Sequence, residues 1–347
     1  MRCAALWPAA NGRIMADFDS VAIYSGGEII GDGVYKLPFL RALRSSFPRA
    51  RLTWICPSTT VYKDRIAPLA TDLLDEILAE APLGRSPLEL LRPVRLRQRY
   101  DVVIDTQQIV WRSLCARRLR HGLFVSGAAQ FRLSERKPPA GYERPDHILQ
   151  RFNDLIALVT GVSPGLDRSL RLPESLMAKA AAQLPDGAAY VGFAPGAGQA
   201  VKRWPLERFV DLAQRQAARG RVPVFILGPA EMAELPAIRE AVPTALFPEQ
   251  DIALWGAGFD PMRTMAIGRR MAGAVTNDSG VSHMLAAADT PLTVLYGPTS
   301  AEKFGPVTRR AHFIQAERFG ASEMAAIPTD AVDTALEALL TASPDNP

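Results

Sequence analysis

Short apolar runs bounded by glycine, proline or aspartate recur along this chain, and longer stretches of helical periodicity lie between them. Strands separated by helices are joined by crossovers, and such connections build a parallel sheet with helices packed on its faces. The pattern therefore predicts an α/β chain. In the first half it predicts strands at 20–24, 51–56 and 101–105, with helices near 34–46 and 110–119. From 122 to about 140 the stretch is rich in glycine, proline and arginine and is expected to form loops, and a helix over 147–160 closes this part. Residues 161–185 carry Pro164, Gly165, Pro173 and Pro185 and read as a linker. The second half restarts with a strand at 190–194, a glycine-rich loop, and a helix over 205–219 that has proline in its first turn and Gly220 past its end. A strand at 222–227, a helix after Pro229, a helix near 261–270, a strand at 274–276, a helix over 281–288 and a strand at 292–296 follow. The last helix, 330–340, is free to pack on either half.

At 347 residues the chain exceeds the size at which one hydrophobic core keeps growing, so two domains are expected, 15–165 and 166–347. Each half repeats the strand-and-helix pattern, which gives two Rossmann-like domains. Hydrophobic content of 48% and charged content of 22% are ordinary for a soluble protein, and no apolar run approaches the ~20 residues that span a bilayer. Residues 1–14 make a poor signal peptide, because Pro8 breaks a short apolar stretch, and with Met15 close behind they read as an extension or an upstream start. Cys3, Cys56 and Cys115 lack metal-ligand or CxxC spacing, which excludes a zinc site or disulfide framework built on them and suits a reducing cytoplasm.

Net charge is +4, but Arg92, Arg95, Arg97 and Arg99 are followed by Arg112, Arg117, Arg118 and Arg120. This cationic stretch is either a solvated face or a surface for phosphorylated lipid or anionic glycan. No aromatic-studded basic motif accompanies it, which argues against nucleic acid.

Three stretches carry candidate chemistry. Asn277-Asp278-Ser279-Gly280-Val281-Ser282-His283 lies between a buried strand and an alanine-rich helix, where unpaired N–H groups and the helix dipole favour phosphate. Read alone, it is equally an ordinary N-cap in which Asp278 or Ser279 satisfies the first turn. Pro195-Gly196-Ala197-Gly198 is followed by Lys202-Arg203-Trp204-Pro205 at a helix start, so Lys202 could clamp a diphosphate while Trp204 and Pro205 anchor the loop. Neither glycine cluster has the P-loop or full GxGxxG spacing, which weakens kinase and dinucleotide-oxidoreductase readings. In the first half, Gly26-Gly27-Glu28-Ile29-Ile30-Gly31-Asp32 follows the first strand, placing Asp32 toward the crevice between domains as a base or as a helix N-cap carboxylate.

Together these residues resemble glycosyltransferase family nine, the heptosyltransferases. The resemblance runs from about Ser20 to Pro306. It rests on Gly31-Asp32 followed by Leu37-Pro38-Phe39-Leu40-Arg41-Ala42-Leu43-Arg44, on Tyr100-Asp101-Val102-Val103-Ile104-Asp105-Thr106-Gln107, on Pro195-Gly196-Ala197 and Lys202-Arg203-Trp204-Pro205, and on Leu227-Gly228-Pro229-Ala230-Glu231. Asp278-Ser279-Gly280 with His283, and Tyr296-Gly297-Pro298-Thr299, complete it in order and spacing.

The resemblance implies a GT-B fold, two facing Rossmann-like domains with parallel sheets, the first binding acceptor and the second nucleotide-sugar. It implies inverting transfer without a metal or other cofactor, with ADP-heptose as donor and a lipopolysaccharide core or related anionic glycan as acceptor. Asp32 then falls on the family's catalytic aspartate, Lys202 on its phosphate lysine, and Asp278, Ser279, Gly280 and His283 on its phosphate loop beside Gly196. Glu231 matches the acidic residue at the ribose hydroxyls, and Phe259 aligns with the adenine-contacting hydrophobe. Lys63, Arg65 and Gln107 are placed on the acceptor side. A cytoplasmic enzyme, peripheral at the inner face of the inner membrane, is expected. Asp17-Phe18-Asp19 mimics a metal-binding DxD but precedes the first strand, so it is set aside. The chain departs from the family pattern at Gly26, Gly33 and Lys36 and over 244–261, which looks longer than usual. Three readings compete: another nucleotide-sugar or a protein acceptor on the same fold, a nucleotide-sugar-binding homologue without turnover, and an oxidoreductase on the same sheets.

Overall fold

The computed structural model describes residues 17–342, so Cys3 and the reading of 1–14 as an extension lie outside the described residues. Contacts divide the described residues into two units, one holding 17–29 and 36–167, the other 30–35 and 168–342.

The first unit is built on β1 (Ser20–Tyr24), α1 (Ile30–Ser46, whose residues 30–35 cluster with the second unit), β2 (Arg51–Ile55), α2 (Ala67–Ala70), β3 (Glu76–Leu78), β4 (Arg99–Asp105), α3 (Val110–Arg117), β5 (Arg120–Ser126) and α4 (Ile148–Thr160). Its five strands pair in parallel in the order β3-β2-β1-β4-β5. Two of these strands were not expected. β3 is a three-residue edge strand, too short to show a period, and β5 lies where the sequence predicts loops. Gly122 reads as a breaker but sits inside β5, where a Cβ would come 2.8 Å from the Asp101 carbonyl oxygen. It serves close backbone approach to β4, the other use of glycine in a strand.

The second unit contains α5 (Glu174–Gln183), β6 (Tyr190–Ala194), α6 (Leu206–Ala218), β7 (Val222–Phe225), α7 (Leu235–Ala241), α8 (Ile252–Trp255), α9 (Pro261–Gly268), β8 (Gly273–Asn277), α10 (Gly280–Ala287), β9 (Leu292–Tyr296), α11 (Ala301–Phe304), β10 (Ala311–Gln315) and α12 (Thr329–Thr341). Its parallel sheet runs β10-β9-β8-β6-β7. The predicted linker holds α5, whose Ala180 is buried against the second unit's core, and the predicted helix after Pro229 begins as a 3-10 turn before α7.

This sheet is buried on both faces. Val191, Phe193, Val275 and Leu295 pack with Phe209, Leu212 and Leu336 in one cluster, while Tyr190, Ala194, Ala274, Val294 and Tyr296 pack with Ala266 and Leu285 in another. Alternate residues of each strand feed opposite layers, so the strands read as continuous apolar runs. In α6, Phe209, Leu212, Ala213 and Gln216 form the buried stripe at i, i+3, i+4 and i+7. The last helix packs on this unit, and Arg219, at the C-cap of α6, makes two 2.6 Å bonds to the carboxylate of Asp333 in α12.

Candidate active site

In the second sheet the chain order reverses between β6 and β8, which pair from Val191↔Gly273 to Ala194↔Thr276. Connections leaving the two strands on either side of such a reversal go to opposite faces, which opens a crevice at the strands' carboxyl ends. The two loops leaving it here are the stretches singled out in the sequence, Pro195–Gly198 and Asn277–Ser279.

Asn277 ties them together. Its Nδ2 donates to the Pro195 carbonyl at 2.7 Å, and its Oδ1 accepts from the Trp204 backbone N–H at 3.1 Å. Trp204 is buried, and its indole N–H donates to the Ile327 carbonyl at 3.0 Å, so the loop ahead of α6 is pinned to the core. Two residues earlier, Lys202 Nζ lies 2.7 Å from Asp278 Oδ2, with the two side chains 24% and 8% exposed. Thr299 Oγ1 donates to the same carboxylate oxygen at 2.6 Å. Lys202 is therefore a positioned ammonium and not a loose surface charge.

With its carboxylate engaged in this way, Asp278 makes no cap to α10. Ser279 occupies the N-cap position in extended geometry without a side-chain cap bond, and its buried Oγ has no hydrogen-bond partner. The first N–H groups of α10, which have no acceptor within their own helix, are thus left without a side-chain cap. The expected side-chain N-cap from Asp278 or Ser279 is therefore not made.

Glu231 stands on the other side of the Gly196 loop. Its buried carboxylate pairs with Arg203 at 2.9 Å. A Cβ at Gly196 would lie 2.8 Å from the Glu231 carboxyl carbon, and one at Gly228 would lie 2.9 Å from its Oε2. Two backbones without side chains therefore form the cradle around this carboxylate.

The start of α1 belongs to the same unit. A Cβ on Gly31 would sit 2.9 Å from the Gly280 Cα, so the two glycine backbones touch and Gly31 has no room for a side chain. Asp32 is the next residue, exposed in the first turn of α1. The helix begins at Ile30, four residues before its expected start, so Asp32 is a helical residue. Further along this turn, the Tyr35 and His283 rings meet edge to face with centroids 4.9 Å apart. Asp32, Lys202, Asp278, Ser279, Gly280 and His283 thus come from three separated stretches of one unit.

Phe259 is half-buried in the loop between α8 and α9. Arg263 frames this loop, donating to the carbonyls of Glu249 at 3.0 Å and Gly258 at 2.9 Å, with its guanidinium 5.5 Å from the Trp255 ring centroid. The buried Glu249 carboxyl accepts from Thr264, and burial pushes its pKa from 4.5 up to about 7. Because the folded value is the higher one, the stability linked to this group is fully present below pH 4.5 and is lost as pH rises to about 7. Glu249→Gln keeps the shape and removes the titration. Melting temperature followed from pH 4.5 to 8 should fall less steeply in the variant than in the parent; parallel curves would show that Glu249 does not titrate there.

The residues assigned to the acceptor side belong to the first unit. Gln107 follows β4 at the reversal of the first sheet, and its Oε1 lies 3.1 Å from where a Gly26 Cβ would be. Lys63 and Arg65 are exposed near a 3-10 turn over Val61–Lys63. Sequence reasoning missed Glu28, a buried carboxylate that accepts from Ser25 at 2.5 Å, Thr60 at 2.6 Å, Trp54 at 3.2 Å and Lys36 at 2.9 Å. This network accounts for Lys36, an unusual residue for its position. The pairing was open to inference, since a glutamate beside the first strand and a lysine eight residues on invite it. Among the described residues, no group of three His, Cys, Asp or Glu is placed to hold a metal ion.

Two parallel five-stranded sheets clothed in helices give the chain the GT-B fold. Solved structures agree. A glycosyltransferase family 9 protein from Veillonella parvula matches with a TM-score of 0.71 at 20% identity, covering 95% of this chain and 99% of that one. Escherichia coli heptosyltransferase WaaC, solved with ADP, matches with a TM-score of 0.63 at 18% identity over 92% of this chain and 99% of its own. The chain belongs to glycosyltransferase family 9, the heptosyltransferases, whose family model matches residues 92–327. Lipopolysaccharide heptosyltransferase 1 of Escherichia coli K12 is 26% identical over 297 residues, which span 80% of this chain and 87% of that protein.

Proposed function

We propose that this glycosyltransferase moves heptose from ADP-heptose to a lipopolysaccharide core acceptor, with inversion and without a metal. The observation that supports the proposal is the approach of Gly31 to Gly280, which sets the first turn of α1, with Asp32, against the start of α10, just after the Asp278 that holds the Lys202 ammonium. Asp32 takes the proton of the acceptor hydroxyl as its oxygen bonds to the anomeric carbon from the face opposite the leaving group. The anomeric C–O bond breaks, and the electron pair leaves with ADP. The negative charge that develops on the diphosphate falls to Lys202 and the N–H groups of α10, donors already held in place by Asp278, Thr299 and Asn277.

Glu231 is assigned to the ribose hydroxyls and Phe259 to the adenine. Lys63, Arg65 and Gln107 are assigned to the acceptor. Donor and acceptor follow the printed names of the relatives, a lipopolysaccharide heptosyltransferase at 26% identity and a structural neighbour solved with ADP. Among the described residues no helix is long and apolar enough to cross a membrane, so work on a lipid-linked acceptor calls for peripheral contact at the inner face of the inner membrane.

A thermal-shift panel of ADP-, UDP- and GDP-sugars, with and without magnesium, tests the donor assignment. A ligand at a hundred times its Kd adds roughly 2.7 kcal/mol to apparent stability. ADP-heptose should raise the melting temperature equally with EDTA or magnesium. Stabilisation by a UDP-sugar alone, and only with magnesium, would overturn both the donor and the metal-free mechanism.

A further inference from the structure

Residues 85–99 of the first unit supply a surface that the transfer chemistry does not use. Ser86 caps a 3-10 turn over Pro87–Leu91. In a 3-10 helix side chains three apart eclipse one another, so Leu88 and Leu91 project on the same side. Both project into solvent, 62% and 85% exposed. Leu90 packs against the first unit's core, as do Val94 and Leu96 in the segment that follows. With Val94 and Leu96 turned inward, alternation along that segment leaves Arg95 and Arg97 exposed.

Hydrogen bonds tie the ridge down. Arg118, just past the end of α3, donates to the carbonyls of Glu89 at 2.6 Å and Arg92 at 2.5 Å, and the Glu89 carboxylate accepts from the Gly84 N–H at 2.6 Å. Beside it lies a cavity of about 310 Å³ lined by Arg85, Arg92, Arg95 and Arg118, with Glu89 as the opposing carboxylate. Four guanidinium groups against one carboxylate leave the cavity cationic.

A leucine pair held out in water costs free energy unless something covers it. Cations flanking such a pair fit one occupant better than a protein patch: the interface of an anionic bilayer, where the leucines enter the acyl boundary and the arginines meet lipid phosphates. We infer that Leu88 and Leu91, with Arg85, Arg92 and Arg95, form the surface by which this protein docks on an anionic membrane. The inference rests on the lipid-linked acceptor proposed above and names the face that meets the lipid.

The test is cosedimentation of the full chain, without sugar donor, with vesicles of phosphatidylcholine alone or with roughly one part in four phosphatidylglycerol. Parent protein should bind the anionic vesicles and not the neutral ones, and about 0.5 M salt should weaken binding as the Debye length shrinks. Leu88→Ser with Leu91→Ser, and separately Arg92→Gln with Arg95→Gln, should each lower partition roughly tenfold or more with an unchanged melting curve. Three results would overturn the inference: a parent that ignores both vesicles, variants that bind as the parent does, or a parent dimer that the leucine variant makes monomeric. Since no donor is present, each of these leaves the transfer reaction standing.

Discussion

Asp32→Ala should lower turnover roughly 10²- to 10⁴-fold, the usual contribution of a general base, while donor affinity stays close to the parent's. The size of the loss separates chemistry from structure. Asp32 is exposed in the first turn of α1, where a carboxylate's favourable interaction with the helix dipole is worth about 0.3–1 kcal/mol. Removing it should therefore shift the melting temperature by a few degrees at most. Asp32→Asn sharpens the comparison, since it keeps the side chain's size and its ability to accept at the helix start but cannot take a proton. Steady-state kinetics with donor titration measures both variants, and parent-like turnover in either would remove Asp32 from the mechanism.

Lys202→Ala should lower kcat roughly 10²- to 10³-fold, comparable to removing one preorganised donor from a developing anion. It should also raise the donor KM, because the ammonium meets the diphosphate in the ground state as well. Here a structural cost accompanies the chemical one. The variant leaves the Asp278 carboxylate, 8% exposed, with Thr299 but without its cation. Breaking a buried pair from one side costs about 3–5 kcal/mol, and a pair as wet as this one should cost less. Adding Asp278→Asn to Lys202→Ala removes the stranded charge, so the double variant should regain stability and remain inactive. If turnover returned with stability, Lys202 would have served only to hold Asp278.

Much of the second unit was legible because its residues serve local rules. The stretch Tyr190–Ala194 is an unbroken apolar run, and α6 has its buried stripe, with Pro205 before it and Gly220 after. Three of the four sheet-margin strands were not legible, β7 being the exception. β3 is three residues long, and β10 is only partly buried, so neither shows the continuous apolar signature of an inner strand. β5 and α5 were hidden by residues that usually break structure, Gly122 in one case and the prolines flanking 174–183 in the other. Gly122 is tolerated because β4 lies against it, a fact about a neighbour about twenty residues away.

By itself the sequence determined the α/β class, the positions of the central strands and the two glycine-rich turns at their carboxyl ends, since strand period, helix period and turn chemistry are local properties of the chain. Tertiary structure alone decided what the polar side chains in those turns do. Only with β6 and β8 paired does Asn277 reach both Pro195 and Trp204, and only then does Asp278 turn from capping α10 to holding Lys202. Charge and hydrogen-bonding partners are chosen by distance through space, and residues 73 to 82 positions apart come within reach only when the sheet forms.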